Sequence, residues 1–237
     1  MKSWKTLLAV AALSHAGHAL ALGGLADLSV YDRTEGRQLQ VHWHEGRAYV
    51  VGKPGNEYQV ALRSRLREDL LAVVSVDGVN AITGQTADPS QSGYVIAPRG
   101  SLDIQGWRRN LSQTAAFYFT SLPDSYAART GRPDDVGVIG VALFRKRQEP
   151  QPIGQIAPQA KSEPRAADQG LGTGHGRRED SPAQYVSFER ATSAPAEVVT
   201  LYYDSYRNLL ARGVIREPAP VAPLPRPFPG FVSDPRG

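Results

Sequence analysis

Residues Leu70–Gln85 read LLAVVSVDGVNAITGQ. The first part of this stretch is apolar except for one serine and rich in β-branched residues, and it stops at Asp77-Gly78, a dipeptide that favours a tight turn. The pattern is typical of a strand buried on both faces. Val136–Phe144 (VGVIGVALF) has the same character, and Thr114–Phe119 (TAAFYF) is a shorter example. These three runs can bury their side chains only against one another, so they predict the centre of the fold.

Shorter segments around these runs alternate apolar and polar residues, as half-buried strands do. The clearest are Gln38–Trp43 (QLQVHW) and Glu57–Arg63 (EYQVALR), and Gly and Pro residues mark turns between such segments. No stretch keeps a 3.6-residue apolar period long enough for a core helix. We therefore predict an all-β fold, an antiparallel β-sandwich or an open barrel, over residues 37–145. Residues 22–36 are predicted to form a loose N-terminal arm.

The first 21 residues have the pattern of a secretory signal peptide. Lys2 and Lys5 precede a short apolar stretch, Thr6–Leu13, and Ala19-Leu20-Ala21 supplies the small residues of a cleavage site after Ala21. A membrane anchor would need a longer apolar run, and no later segment has one. The chain has no cysteine, which excludes a disulfide and a cysteine-linked lipid anchor. We expect an exported protein, periplasmic or secreted.

The charge balance indicates little about partners. The chain carries 27 basic and 23 acidic side chains, and two of the basic ones lie within residues 1–21. The remainder is therefore almost neutral, which gives no support for binding to nucleic acid or to a membrane surface.

The composition changes after residue 145. Residues 146–183 are rich in Pro and Gly and poor in large apolar residues, which predicts a flexible linker. Within it, Gly172–Arg178 (GTGHGRR) lacks the strand and helix that flank a phosphate-binding loop, so it is interpreted as part of that linker. Residues 184–213 are predicted to form a C-terminal β-hairpin, with strands at Tyr185–Phe188 and Glu197–Tyr203, that docks on the sandwich or on a neighbouring chain.

A short helix and a tail complete the predicted organisation. Asp204 is predicted to cap a helix over Ser205–Arg212 that ends at Gly213. Residues 214–237 form a Pro-rich tail, with alternating prolines from Pro223 to Pro229, and are predicted to be extended. Such a tail either binds an aromatic groove or serves as a spacer.

Five motifs between residues 74 and 144 form a recognisable set. They are VSVDGVNAITGQ (Val74–Gln85), SGYVI (Ser92–Ile96), IQGWR (Ile104–Arg108), AAFYFT (Ala115–Thr120) and SYAARTGRPDDVGVIGVALF (Ser125–Phe144). The set resembles that of a recurrent family of uncharacterised exported bacterial proteins. The resemblance covers about a third of the chain and implies membership only, because no activity or ligand is attached to that family.

Two pairs of polar residues are weak candidates for metal binding. Asp77 and Asn80 flank a tight turn and could contribute oxygen ligands to Ca²⁺, but the same residue types usually bond their own turn backbone. His42 and His44 lie two apart in a predicted strand, which places both imidazoles on one face, but a metal site needs a third ligand. No cofactor motif is present, so no cofactor is expected.

The strongest candidates for a binding surface are aromatic and basic residues in predicted loops. Trp107, Arg108 and Arg109 follow a short strand, and Tyr126 and Arg129 lie in the predicted loop Pro123–Asp135. Loops at one end of a β-sandwich often carry binding sites. The alternative is that the aromatic rings close the end of the core while the arginines are solvated.

These observations favour a non-catalytic protein that binds another protein or an envelope component, or that serves a structural role. The chain lacks a cysteine nucleophile and a Gly-x-Ser-x-Gly elbow. The alternative is a metal- or carbohydrate-handling protein, possibly hydrolytic, that uses His42 and His44 or two loop aspartates. The two hypotheses differ in whether those groups converge in one pocket.

Overall fold

The computed structural model describes residues 22–147 and 171–216, which form two β-sheets packed face to face. Strands are numbered along the chain. Sheet A contains β1 (Ala26–Asp32), β2 (Arg37–Gln38), β5 (Glu57–Ser64), β9 (Ser101–Ile104), β10 (Gly106–Arg108), β11 (Gln113–Ser121) and β13 (Leu171–Asp180). Sheet B contains β3 (His42–His44), β4 (Arg47–Val51), β6 (Leu70–Val76), β7 (Val79–Asn80), β8 (Tyr94–Ile96), β12 (Val138–Arg145) and β14 (Glu197–Asp204). The predicted all-β sandwich is confirmed.

The strand orders explain how the sheets are assembled. In sheet A, β11 lies between β13 on one side and β10 and β5 on the other, and β5 continues to β1 and β2. In sheet B the order is β3-β4-β14-β12-β6-β7, with β8 also paired to β6. Every pairing is antiparallel except that of β4 with β14, which is parallel. Sheet B is therefore mixed, where an entirely antiparallel sandwich was predicted.

The three apolar runs form the predicted central strands. β6 and β12 pair over seven positions, and their inward residues meet those of β5 and β11 between the sheets. Their outward residues Leu71, Val73, Ala142 and Phe144 are also buried, because Phe188 from a crossing segment packs on them. Both faces are covered, as the continuous apolar sequence predicts. The Asp77-Gly78 turn joins β6 to β7, and both of its residues have the positive φ of a two-residue hairpin turn.

The prediction of a loose arm over residues 22–36 is wrong. Residues Ala26–Asp32 form β1, which pairs with β5 over seven positions. Ala26, Leu28 and Val30 point into the core and are buried. Apolar and polar residues alternate along this segment, and its apolar face is buried in the core between the sheets. Packing therefore orders it.

The interpretation of Gly172–Arg178 as linker is also wrong, because these residues form most of β13 at one edge of sheet A. The glycines here make room for close packing. A Cβ at Gly174 would lie 2.1 Å from the ring of Tyr118, and a Cβ at Gly172 would lie 2.5 Å from Cβ of Ser125. The side chains of Tyr118 and Ser125 therefore pack directly against the backbone of β13.

The C-terminal prediction is half correct. Glu197–Asp204 is a strand, but it is built into the middle of sheet B between β4 and β12 and is not one arm of a docked hairpin. Tyr185–Phe188 is not a strand, and Tyr185 is 90% exposed. This segment crosses the outside of sheet B, where Arg190 places its guanidinium carbon 4.1 Å from the centre of the Phe144 ring.

Two short helices interrupt the β structure. α1 (Tyr126–Arg129) lies within the predicted loop over residues 123–135, after a 3₁₀ turn at Leu122–Asp124. α2 (Tyr206–Ala211) is capped by Ser205, whose side chain accepts a hydrogen bond from the Asn208 amide. The predicted cap Asp204 instead accepts from the Ser205 amide and the Asn208 side chain.

Neither helix is long and apolar enough to cross a membrane, nor is any other helix in the described ranges. The predicted signal peptide, the linker over residues 148–170 and the tail after residue 216 lie outside the described residues.

Candidate functional site

The candidate site lies where α1 closes one end of the sandwich against β13. The Ser125 side chain is buried and accepts a hydrogen bond from the Ala128 amide, which starts the helix at Tyr126. Because Gly172 has no side chain, Ser125 can approach β13 closely. The Tyr126 ring is thereby fixed over the edge of sheet A.

Four aromatic rings form a continuous stack from the core to the surface at this point. The Phe117 and Trp107 rings meet edge to face at 5.0 Å, Trp107 and Tyr126 lie 4.8 Å apart, and Tyr126 and His175 lie 5.4 Å apart. Trp107 is only 3% exposed and donates a hydrogen bond from Nε1 to the carbonyl oxygen of Gly174. Tyr126 is half-buried and His175 is exposed, so the outer end of the stack is accessible.

The charges of two exposed arginines act on this outer end. Partial burial lowers the pKa of His175, and the positive charges of Arg109 and Arg129 lower it further. Neither arginine forms an ion pair or side-chain hydrogen bond with any group in the described part of the chain. The group formed by Tyr126, His175, Arg109 and Arg129 is called the basic aromatic cluster below.

This arrangement concentrates positive charge that the protein does not neutralise. Arg109 and Arg129 are both exposed, and the charges of both act on His175. An anionic group placed among them would gain charge-assisted hydrogen bonds from both guanidinium groups. The cluster is therefore chemically suited to hold a phosphate, sulfate or carboxylate.

The structure relates four of the five predicted surface candidates to one another. Trp107 and Tyr126 stack on each other, and the charges of Arg109 and Arg129 both act on His175. Arg108 is separate, because its guanidinium donates to the backbone oxygen and the hydroxyl of Ser181 and lies 6.0 Å from the centre of the Tyr94 ring. Trp107 itself supports the cluster from beneath and is too buried to contact a ligand.

The predicted binding role of Asp77 does not agree with its position, since the residue is completely buried. Its Oδ1 accepts hydrogen bonds from the Tyr203 hydroxyl at 2.6 Å and the Gly137 amide at 2.9 Å. Its Oδ2 accepts from the Thr173 amide at 2.6 Å. Burial raises the pKa of Asp77 from 3.8 to about 6, although these hydrogen bonds oppose the rise.

Asp77 is the end of a chain of buried hydroxyl groups that crosses from sheet A to sheet B. The Tyr58 and Thr173 oxygens lie 2.5 Å apart, and the Thr173 and Tyr203 oxygens lie 2.6 Å apart. Because Tyr203 donates its proton to Asp77, it accepts from Thr173, which in turn accepts from Tyr58. Tyr58 and Thr173 belong to sheet A, whereas Tyr203 and Asp77 belong to sheet B. The chain has no opening to solvent, so its role is to fix the two sheets in register.

The other predicted ligands also have structural surroundings. Asn80 is buried, its Oδ1 accepts from the Ile82 and Thr83 amides, and its side-chain nitrogen donates to the Ser92 oxygen. His42 and His44 have no third ligand in reach, because no group of three or more His, Asp or Glu side chains among residues 22–147 and 171–216 is placed to hold a metal.

His175 is the residue of the cluster that the sequence did not point to as part of this surface. It lies in the Gly-rich stretch that was interpreted as linker, so nothing placed it beside Tyr126. A usable signal was present, since Leu171, Thr173 and His175 alternate with glycines at the spacing of one strand face.

Comparisons of the chain with models of protein families, with curated proteins and with solved structures found no match. The resemblance to a family of exported bacterial proteins therefore stays a prediction, and the function has to be argued from the site.

Proposed function

We propose that this protein is an exported, non-catalytic binding protein whose basic aromatic cluster holds an anionic group of an envelope component. One observation carries the proposal: the ring stack ends at the surface in Tyr126 and the exposed His175, and the exposed Arg109 and Arg129, whose charges lower the pKa of His175, pair with no acidic residue of the described chain. If this surface only closed the end of the core, the stacked rings would suffice and the unpaired Arg109 and Arg129 would have no role.

The aromatic part of the site is rigid. The Tyr126 ring is held from below by Trp107, which is in turn hydrogen-bonded to β13, so this ring loses little conformational freedom when a ligand binds, whereas the two unpaired arginines become ordered only on binding. The exposed edge of an aromatic ring beside two guanidinium groups suits an acidic sugar, which presents both an apolar ring face and a carboxylate.

The proposal is tested by measuring the binding of an acidic polysaccharide. Oligogalacturonate would be titrated into the protein by calorimetry, with a neutral oligosaccharide of equal length as the reference ligand. We expect the acidic ligand to bind and the neutral one to bind at least tenfold more weakly, because each charge-assisted hydrogen bond contributes about 1.5–3 kcal/mol.

The variant that tests the site is Arg109→Gln with Arg129→Gln. The matched control is Arg63→Gln with Arg67→Gln, which changes the net charge equally at two exposed arginines without ion pairs in the described structure. We expect the site variant to lose at least tenfold in affinity and the control to stay within twofold. An equal loss in both variants would show that only net charge matters and would refute the proposal.

The pH dependence provides a second readout. Because the pKa of His175 is lowered in the free protein, an anion bound beside it should raise that pKa. Affinity should therefore increase as the pH falls through the pKa of His175. NMR titration of the His175 ring, with and without ligand, measures the change directly, and His42 and His44 serve as internal references.

A further inference from the structure

A groove with both polar and apolar lining lies on sheet B. It has a volume of about 310 Å³ and lies between the β3–β4 hairpin and the first half of β14. Two large apolar side chains of its lining are exposed, Trp43 at 49% and Val198 at 59%. It is called the Trp43 groove below, and its lining includes Trp43, Arg47, Val198, Thr200 and Tyr202.

The groove exists because β4 and β14 separate. Their parallel pairing covers only three positions, from Tyr202 opposite Tyr49 to Asp204 opposite Val51. Glu197–Leu201 is paired with β12 on one side, but no strand of the described chain pairs with it on the other. The space that a neighbouring strand would fill is left open beside Trp43.

A line of aromatic and basic side chains leads from this groove to α2. The Arg47 guanidinium carbon lies 5.9 Å from the centre of the Tyr202 ring, and the Tyr202 and Tyr49 rings lie 5.4 Å apart. Arg212, at the end of α2, lies 5.3 Å from the centre of the Tyr49 ring and donates a hydrogen bond to its hydroxyl. Tyr49 is buried, so this is a row of contacts beneath the surface, and it ends at Arg212, close to where the C-terminal segment begins.

We propose that the Pro-rich C-terminal segment of the same chain binds in the Trp43 groove. Residues 217–237 follow directly after the described part of the chain, and Pro223–Pro229 carries a proline at every second position. Proline-rich segments bind aromatic-lined grooves because the proline rings pack on the aromatic faces and little entropy is lost.

The length of the segment permits this contact. An extended proline-rich chain rises about 3.1 Å per residue, so the seven residues from Arg216 to Pro223 can span roughly 20 Å. Arg212 lies 5.3 Å from the centre of the Tyr49 ring, and this ring lies 5.4 Å from that of Tyr202, which lines the groove. The prolines can therefore reach the groove without any change in α2.

The consequence of this proposal is that the groove is covered by the chain itself unless a competing ligand displaces the tail. Trp43 reports on this contact. The substitution Trp4→Phe leaves only Trp43 and Trp107 in the chain, whether or not residues 1–21 are removed. Trp107 is 3% exposed and protected from a quencher, so quenching of tryptophan emission by acrylamide measures the accessibility of Trp43.

The test compares two four-proline variants of the full chain. The tail variant replaces Pro223, Pro225, Pro227 and Pro229 by Ser. The control variant replaces four prolines at positions 150, 152, 158 and 164 by Ser. We expect the quenching constant of Trp43 to rise at least twofold in the tail variant and to stay unchanged in the control, and the synthetic peptide 217–237 should restore protection to the tail variant.

Two outcomes would overturn the proposal. Equal quenching in the unmodified chain and the tail variant would show that the prolines do not cover Trp43. Protection that disappears on dilution from 100 to 1 µM would show that the tail of a second copy occupies the groove. Protection that is independent of concentration supports binding within one chain.

Discussion

Replacing Tyr203 by Phe tests whether the buried hydroxyl chain holds the two sheets together. The substitution removes one oxygen atom and keeps the ring, so packing changes little. It deletes the hydrogen bond from Tyr203 to Asp77 and leaves the Thr173 hydroxyl without its acceptor. Above pH 6 the Asp77 carboxylate is ionised, and a hydrogen bond to a charged group contributes about 1.5–3 kcal/mol. We therefore expect the free energy of unfolding to fall by about 2 kcal/mol at pH 8.

The cost of this substitution should depend on pH. The pKa of Asp77 is raised in the folded state from 3.8 to about 6, so the associated stability is present below pH 3.8 and is lost as the pH rises through about 6. The two pKa values differ by about two units, so the stability lost over this pH range is about 3 kcal/mol. At pH 5 most Asp77 is protonated, and deletion of a bond to a neutral group should cost only about 1 kcal/mol.

The measurement is urea unfolding at pH 8 and pH 5, followed by tryptophan fluorescence. The matched control is Tyr202→Phe, on the opposite face of the same strand, where the hydroxyl makes no hydrogen bond within the described structure. We expect the control to cost less than about 0.5 kcal/mol at both pH values. The reasoning is refuted if Tyr203→Phe costs the same at pH 5 and pH 8, or no more than Tyr202→Phe.

Three further substitutions test local features of the fold. Gly106→Ala should lower the free energy of unfolding by about 3 kcal/mol, because the new Cβ would lie 2.0 Å from a backbone oxygen of β11. Gly140→Ala should be neutral, because the nearest neighbour of its new Cβ lies at 3.8 Å. Thermal melting of both variants tests this difference. Ser125→Ala removes the cap of α1 and should cost about 1 kcal/mol by the same assay, and an unchanged midpoint would contradict the capping role. Arg190→Ala should speed proteolysis of residues 181–196, because it removes two hydrogen bonds to backbone oxygens and the contact with the Phe144 ring. Arg147→Ala removes only an exposed ion pair and should leave the rate of proteolysis unchanged.

The central strands were predictable from the sequence because each is a continuous apolar run. β6, β11 and β12 are buried on both faces or nearly so, and no other arrangement could cover that much apolar surface. The turn at Asp77-Gly78 was predictable for the same local reason, since its dipeptide suits the positive φ that a two-residue hairpin needs.

The wrong predictions concern segments whose local sequence pattern does not show whether they form a strand. Only Leu171 and Thr173 of β13 are buried side chains, and the rest of the strand consists of glycines and polar or charged residues. Its glycines pack against Tyr118 and Ser125, which lie far away in the sequence. A local pattern cannot show that contact. The opposite error occurred at Tyr185–Phe188, where an apolar segment contacts the outside of sheet B through Phe188 without joining a ladder.

The candidate site was partly predictable for a related reason. Trp107 and Tyr126 are aromatic residues in short connections, and both were expected at one end of the sandwich. Their contact and the position of His175 depend on β13, so the cluster could not be assembled without that strand. Asp77 was misinterpreted because a polar residue at a turn is usually exposed, whereas here the opposite sheet supplies hydrogen-bond partners for it.

The position of β14 has a consequence for how this protein is made. β14 is the last strand of the described fold, yet it lies between β4 and β12 and joins the two halves of sheet B. On the ribosome, a growing polypeptide that ends before Glu197 presents two unfinished strand edges, and each is a template for wrong association. Sheet B therefore cannot be completed before Glu197–Asp204 has left the ribosome, so a single late segment decides when both edges become protected.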